Sequence, residues 1–167
     1  MNNVPKIVGV MAATASGVIG KDNDLPWCYP EEFKHFQTLT DGHVMIMGRK
    51  TFESTPKNLF RNRASIVFSR NIMFENGYGE VVSSLGGLSR CIQRFYKDKK
   101  IFMIGGAEIA HLFLEAGRIS AFYLTKIHHS YPGNIYLNLK YFDNWNEKII
   151  ESNSKYTIVE LKSLATV

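Results

Sequence analysis

The sequence predicts an α/β fold built on a mostly parallel sheet, and three observations carry that prediction. Short apolar runs without polar alternation, at residues 7–13, 44–47 and 101–104, have the pattern of strands covered on both faces. Helical stretches separate the strands, as crossover connections require. Two closing segments, 145–151 and 156–161, read as a hairpin turned at Asn153-Ser154, which adds antiparallel edges.

Taken in order, the run at 7–13 is the first strand. The stretch GVIGKDNDLPWCYPEEFKHF (17–36) leaves the tail of an apolar strand, crosses a Gly/Asp/Asn loop and enters a helix begun by Pro30, a residue suited to a first helical turn. The strand at 44–47 runs into GRKTFEST, a short helical turn. Residues 64–69 form the next strand, followed by a turn-rich piece holding Asn76-Gly77 and Gly79. A short strand at 80–82 and an amphipathic helix at 88–96 precede the strand at 101–104. A helix at 107–116 is stopped by Gly117, and 120–127 is a strand. No repeat, linker or low-complexity tract divides the chain, so residues 1–167 are expected to form one domain.

A chain of 167 residues is long enough to bury most of its apolar surface. The opening MNNVPKIVGVMAATA carries one Lys and an apolar run shorter than a membrane span, so it reads as a core strand rather than a signal peptide or anchor. Cys28 and Cys91 form no CxxC pair, and a reducing cytoplasm is the default expectation. The formal charge of +5 is unevenly placed: Arg49, Lys50, Lys57, Arg61, Arg63 and Arg70 stand against Glu53 alone. That region attracts anions. It has little aromatic interleaving and no nucleic-acid motif, which favours a phosphorylated or carboxylated small molecule over nucleic acid.

Glu32 is the first candidate for chemistry. At about 100° per residue, Phe33, Phe36 and Leu39 share one arc of the Pro30 helix, and Glu32 falls within it. A charge on a face expected to be buried needs a partner, a proton or a ligand. Two readings fit: a cap at a helix N-terminus, or a carboxylate that hydrogen-bonds a bound, protonatable heterocycle. The second candidate is a pair of junctions. The strand at 44–47 meets Gly48 and a helix bearing Arg49, Lys50 and Thr51, and the strand at 101–104 meets Gly105-Gly106 and the helix at Ala107. In each, glycine admits a ligand to the backbone and the helix offers free N–H groups. The pair suits the two halves of a dinucleotide, or is simply two tight connections, since neither GxGxxG nor a P-loop lysine is present. His128-His129 is no metal pair, because adjacent strand residues point to opposite faces. His35, His43 and His111 read as surface residues, and no serine has a GxSxG context.

In order and spacing, VIGKDNDLPW, PEEFKHFQ, VMIMGRKTFES, IGGAE and YLTKI resemble the dihydrofolate reductase family. The resemblance implies an eight-stranded, mostly parallel mixed sheet flanked by helices. It also implies NADPH-dependent reduction of 7,8-dihydrofolate to tetrahydrofolate, by a cytoplasmic monomer open to antifolate inhibitors. Glu32 matches the family's active-site acid, which holds the pteridine 2-amino group and N3 and favours protonation at N5 before hydride reaches C6. Trp27 matches the residue that positions an ordered water near that acid, and Thr125 the hydroxyl that hydrogen-bonds it. The implied substrate site comprises Met11, Ala12, Glu32, Phe33, Phe36, Thr55, Leu59, Arg63, Ile104 and Thr125, with Arg63 pairing the substrate's glutamate carboxylate. LFRNR is one residue longer than the common spacing, so Arg61 is the alternative. For the cofactor, Gly48, Arg49, Lys50 and Thr51 match the phosphate segment, and Ser69 with Arg70 the 2′-phosphate pocket. Ala12, Ala13, Ile19, Gly20, Leu25, Ile104, Gly105, Gly106, Ala107, Glu108 and Ile109 complete that site, with a cis peptide expected between the two glycines.

The chain departs from the family pattern at four places. Ala110 stands where a Tyr is common, which is expected to open space beside the nicotinamide. Asn134 replaces an acid, which is expected to weaken the bonds holding the 20–25 loop closed. The final hairpin turn is short, and the arginine spacing is the fourth. Two rivals stay open: a fold-sharing reductase acting on a pyrimidine intermediate of riboflavin synthesis, and a folate-like or RNA-binding module without catalysis.

Overall fold

The structure, a computed structural model, describes residues 5–22 and 24–164. Residues 1–4 and 165–167 of the expected domain, and Asn23 of the VIGKDNDLPW stretch, lie outside the described residues. The strands are β1 (Ile7–Thr14), β2 (Val18–Gly20), β3 (Val44–Gly48), β4 (Ala64–Phe68), β5 (Gly79–Val82), β6 (Ile101–Met103), β7 (Ile119–Ile127), β8 (Ile135–Tyr136), β9 (Asn146–Ser152) and β10 (Tyr156–Lys162). The helices are α1 (Pro30–Thr40), α2 (Arg49–Ser54), α3 (Leu85–Phe95) and α4 (Ala107–Glu115), with 3₁₀ turns at Lys57–Phe60 and Leu139–Phe142.

Eight strands form one sheet in the order β5-β4-β3-β6-β1-β7-β10-β9. The pairs from β5 to β7 are parallel, and β10 runs antiparallel to both β7 and β9. The chain moves outward from β1 through β3, β4 and β5, then returns with β6 between β3 and β1. Ligands of open α/β sheets bind at such a reversal, beyond the carboxyl ends of the strands.

Both faces of the sheet are covered, as the unbroken apolar runs require. Val44 and Ile46 of β3 enter the main core, while Met45 and Met47 enter a second cluster with Phe60 and Val67. Phe36 of α1 and Phe52 of α2 pack on that second cluster; Leu88 and Ile92 of α3 and Phe113 of α4 lie in the main core. Each such fully buried side chain contributes about 1.5–3 kcal/mol by transfer from water. A third cluster gathers Val18, Trp27, Ile127, Tyr156 and Ile158.

Local chemistry explains where elements differ from expectation. α3 begins at Leu85, because the Ser84 side chain caps it by accepting the Gly87 N–H at 3.0 Å. Gly86 and Gly87 are poor helix formers, which hid this turn in the sequence. β2 and β8 form a separate two-stranded antiparallel sheet rather than a continuation of β1. The closing hairpin turns where predicted, since Asn153 Oδ1 accepts the N–H groups of Lys155 and Tyr156 at 2.8 and 3.0 Å.

Gly9 of β1 lies opposite Phe122 of β7, and a Cβ there would sit 2.2 Å from the buried ring. The Gly9→Ala variant is expected to lose about 1–3 kcal/mol by overpacking. Gly77→Ala, with nothing within 4 Å and no positive φ, should stay within about 0.5 kcal/mol of the parent. Urea unfolding midpoints of the two variants provide the check.

Candidate active site

Pro30 starts α1, with Glu31 and Glu32 in its first turn. α1 lies across β7 so that Thr125 Oγ1 donates to Glu32 Oε1 at 3.1 Å. Thr125 is 3% exposed and pairs in register with Ala12 of β1. Burial pushes the Glu32 carboxyl above its ordinary range, and the Thr125 hydrogen bond draws it partly back. Glu32 sits in the first turn, where a helix N-terminus favours an acid, but no side-chain hydrogen bond caps the helix, whose N-cap position is Tyr29. The helix face around Glu32 is less buried than expected, with Phe33 40% exposed and Phe36 and Leu39 partly buried. Phe33 and Phe36 stack with centroids 5.9 Å apart, forming an aromatic wall beside the acid.

Trp27 is 6% exposed in the third cluster, next to Ala12, Tyr29 and Tyr131. Its buried Nε1 has no acceptor among the described residues. A donor so placed is available to a bound group or water.

The two glycine junctions lie side by side. Gly48 N donates to Gly105 O at 2.9 Å, and the Gly105–Gly106 peptide is cis, as expected. A Cβ on Gly105 would approach Met11 Cε to 3.2 Å, one on Gly106 would approach Thr51 Oγ1 to 3.5 Å, and one on Gly48 would approach Ile109 Cγ1 to 3.2 Å. Met11 thus joins the strand carrying Ala12 to the paired glycines. Ile104 packs with Phe36 on the second cluster, on the α1 side of the sheet. Ala107 and Ile109 are partly buried and Glu108 is exposed. Ala13 and Leu59 are buried. The Thr55 hydroxyl is committed to Thr51 O at 2.6 Å.

The basic segment divides by role. Arg63 is anchored: Nε donates to Thr40 Oγ1 at 2.9 Å, Nη1 to Leu59 O at 3.1 Å and Nη2 to Gln37 O at 2.7 Å. Its side chain is 8% exposed, and Asp41 lies 3.8 Å away. Of its five N–H donors, two remain for an anion. Arg61 is exposed, so the built arginine is Arg63. Arg49 pairs with Glu53 at 2.9 Å and lies 4.7 Å above the Phe74 ring. Lys50 and Arg70 are exposed, and buried Ser69 accepts the Asn71 N–H through Oγ at 3.1 Å. Cations beside glycine-lined turns at a sheet reversal fit the phosphates of a dinucleotide.

At the loop that follows β2, Ile19 is partly buried, Gly20 buried and Leu25 exposed. Asn134 N donates to Gly20 O at 3.1 Å, Asp22 N to Asn134 Oδ1 at 3.2 Å, and Asn134 Nδ2 to Asp22 Oδ1 at 3.3 Å. In place of a carboxylate, the Asn134 amide both accepts and donates across this contact. Ala110 is fully buried in the main core, so its small side chain opens no surface space. The short hairpin reaches the β7–β8 connection through His128, whose ring nitrogens meet Ser154 O at 3.2 Å and Thr157 Oγ1 at 2.8 Å. His35, His43 and His111 are half-buried rather than surface residues, and Asn138 N donates to His111 Nε2 at 3.0 Å. No group of three metal-binding side chains occurs among the described residues.

Sequence reasoning missed Tyr29 and Tyr131, whose hydroxyls lie 2.7 Å apart. A pair separated by 102 positions leaves no local signal.

A family model described as dihydrofolate reductase matches residues 6–162. The chain is 40% identical over 144 residues to dihydrofolate reductase of Bacillus subtilis, covering 86% of this chain and 80% of that one. It is 34% identical over 155 residues to dihydrofolate reductase type A13 of Escherichia coli, covering 91% of each. With dihydrofolate reductase of Staphylococcus haemolyticus it is 31% identical over 150 residues, covering 90% and 87%.

A carboxyl raised by burial binds its proton more tightly folded than unfolded. Its stability cost is therefore absent below the unfolded pKa and complete above the folded one. Glu32→Gln is expected to stabilise the unliganded protein at pH 8 relative to its effect at pH 4. Thermal unfolding of both proteins at the two pH values tests this, and a pH-independent difference would show that the carboxyl is not raised.

Proposed function

The chain belongs to the dihydrofolate reductase family and reduces dihydrofolate to tetrahydrofolate with NADPH; from that premise we propose that Glu32 is its acid and Arg63 its substrate anchor. The observation that carries this is the meeting of a partly buried carboxyl, without a counter-ion among the described residues, with a hydroxyl donor on β7. One Glu32 oxygen takes the Thr125 bond, and the carboxyl's remaining lone pairs accept from the 2-amino group and N3 of the pteridine. Burial raises the carboxyl above its ordinary range, so it holds a proton more readily than an exposed glutamate does. Trp27 Nε1 orients the water through which the proton reaches N5. Phe33 and Phe36 flank the ring system and its benzoyl arm, with Met11, Ala12, Thr55, Leu59 and Ile104 as further lining. The two unspent donors of Arg63 meet the glutamate carboxylate in the bidentate manner of guanidinium.

Bound NADPH supplies the hydride that C6 receives. Gly48, Arg49, Lys50 and Thr51 would hold its phosphates, and the Gly105–Gly106 turn would lie beside the nicotinamide. Ser69 and Arg70 take the 2′-phosphate. Ala12, Ala13, Ile19, Gly20, Leu25, Ala107, Glu108 and Ile109 enclose the remainder.

We also propose a monomer working in the cytoplasm and open to antifolate inhibitors that occupy the pteridine site. Among the described residues no helix is long and apolar enough to cross a membrane. The pyrimidine reductase and the non-catalytic binder find no support in relatives carrying the dihydrofolate reductase name over most of their length.

Loss of NADPH absorbance with dihydrofolate tests the whole reading. Glu32→Gln is expected to cut turnover at pH 7 by about 10²-fold or more, with the NADPH Kd within about twofold of the parent, by analogy with other carboxylates that act in chemistry rather than binding. Wild-type-like turnover would remove Glu32 from the mechanism. Arg70→Ala should narrow the preference for NADPH over NADH by about 10–100-fold in kcat/KM, the effect of one charge-assisted contact. An unchanged ratio would place the 2′-phosphate elsewhere.

A further inference from the structure

α1 is secured unevenly along its length. At its C-terminal end Thr40 is fully buried, and Arg63 binds both Thr40 Oγ1 and Gln37 O. Thr40 is the only buried residue of the helix. The other end, which carries Glu32, has no side-chain cap and no buried apolar residue of its own. Apart from the Thr125–Glu32 bond, its position rests on the segment just before it. The Tyr29 carbonyl accepts the Phe33 N–H at 3.1 Å, and its ring packs 6.1 Å from Tyr156 of β10. Its hydroxyl meets that of Tyr131 at 2.7 Å, a full-strength O–H···O bond. The Tyr131 ring also packs 5.7 Å from Trp27 and 4.7 Å from His129.

Tyr131 belongs to the β7–β8 connection, the segment whose far end ties down Gly20 and Asp22 through Asn134. One short segment therefore grips the loop on one side and the start of α1 on the other. We propose that Tyr131 is a positioning residue for the reaction: through its hydroxyl bond to Tyr29 and its packing on Trp27, it fixes the start of α1 and so the placement and dryness of the Glu32 carboxyl. The proposal rests on the reading of Glu32 as the acid.

The charged and titratable groups around this end of α1 include Glu31 and His35 on the helix, Tyr156 on β10 and Glu151 on β9; Glu151, Glu31 and Glu32 each raise the Tyr156 hydroxyl, and Glu151 also acts on His35. Tyr29, Tyr131 and His129 complete the set. No ion pair with Glu32 occurs among the described residues. The bond to Tyr131 raises the Tyr29 hydroxyl above its ordinary pKa, so Tyr29 keeps its proton through neutral pH. Loosening it admits water to Glu32, which lowers the pKa of a carboxyl that burial had raised.

The test uses the full chain with NADPH and dihydrofolate, comparing Tyr29→Phe, Tyr131→Phe and the double variant, each keeping its ring. Single-turnover hydride transfer is expected to slow about three- to tenfold in each single variant, the effect of one neutral hydrogen bond. Its pH midpoint should move to lower pH, the NADPH Kd should hold, and the double variant should be no slower than either single one. The same profiles in a His129→Gln background separate any titration of that ring. Unchanged rates and midpoints in both single variants would reduce the pair to a structural contact, whatever the thermal midpoints do. Additive losses in the double variant would also overturn the shared-bond account. Should Glu32→Gln keep full turnover, the acid reading falls and this proposal with it. Should Glu32→Gln collapse while the tyrosine variants are silent, this proposal alone falls.

Discussion

A partly buried carboxyl group, with one donor and no counter-ion among the described residues, is the constraint to which the rest of the site answers. Among those residues Glu32 receives a single hydrogen bond, from Thr125, and burial raises its pKa. Such a group is held at a cost in stability, which selection for folding alone would remove by exchanging it for a neutral side chain. Its retention on an otherwise apolar arc is intelligible once a ligand with two N–H donors completes its hydrogen bonding. The half-exposed Phe33 belongs to the same logic: a face that the protein leaves uncovered is available to a flat aromatic partner.

The scaffold brings three otherwise separate features together. β1 lies between β6 and β7, so Met11 reaches the Gly105 turn while its neighbour Ala12 lies in register with Thr125. The paired glycines and the hydroxyl partner of the acid thus neighbour adjacent residues of β1. Arg63 closes the arrangement from the side. By binding the carbonyls of Gln37 and Leu59, it joins the end of α1 to the 3₁₀ turn at Lys57–Phe60 and keeps two donors for an anion. A lysine could not make these bonds and retain a planar pair.

Much of this was legible in the chain. The apolar runs of β1, β3 and β6 marked a doubly covered sheet because both faces of each strand are buried, and Pro30 marked the start of α1 because its fixed φ suits a first turn. The angular position of Glu32 set it apart before any geometry was in hand. What stayed hidden was long-range. Periodicity implied that the Phe33–Leu39 arc would be buried by protein, since a sequence does not distinguish a face packed on a core from a face lining a binding groove. The β2–β8 pair was missed because strands of three and two residues carry too little pattern. The partner of Asn134 was hidden because Asp22 is 112 residues away. Arg61 and Arg63 were separable only by seeing which guanidinium had carbonyls to bind.

The exchange at Asn134 shows how a change of one functional group can keep a contact while altering its electrostatics. An amide donates and accepts, whereas an ionised carboxylate only accepts. With Asp22 opposite, a second acid at 134 would set two carboxylates against each other. Asn134 instead takes the Asp22 N–H and returns a donor to the Asp22 carboxylate. The pair also supports the backbone, since Asp22 has a φ of 50°, a left-handed conformation that non-glycine residues adopt at a cost unless side-chain bonding offsets it. Close approach is the remaining requirement, and Gly133 provides it: a Cβ there would lie 2.4 Å from Val18 Cγ1 and 2.6 Å from Gly20 O. A glycine, an amide and an acid therefore act as one unit. The 20–25 loop is held by two backbone donors and one side-chain donor that carry a single net charge, and the same connection reaches α1 through Tyr131.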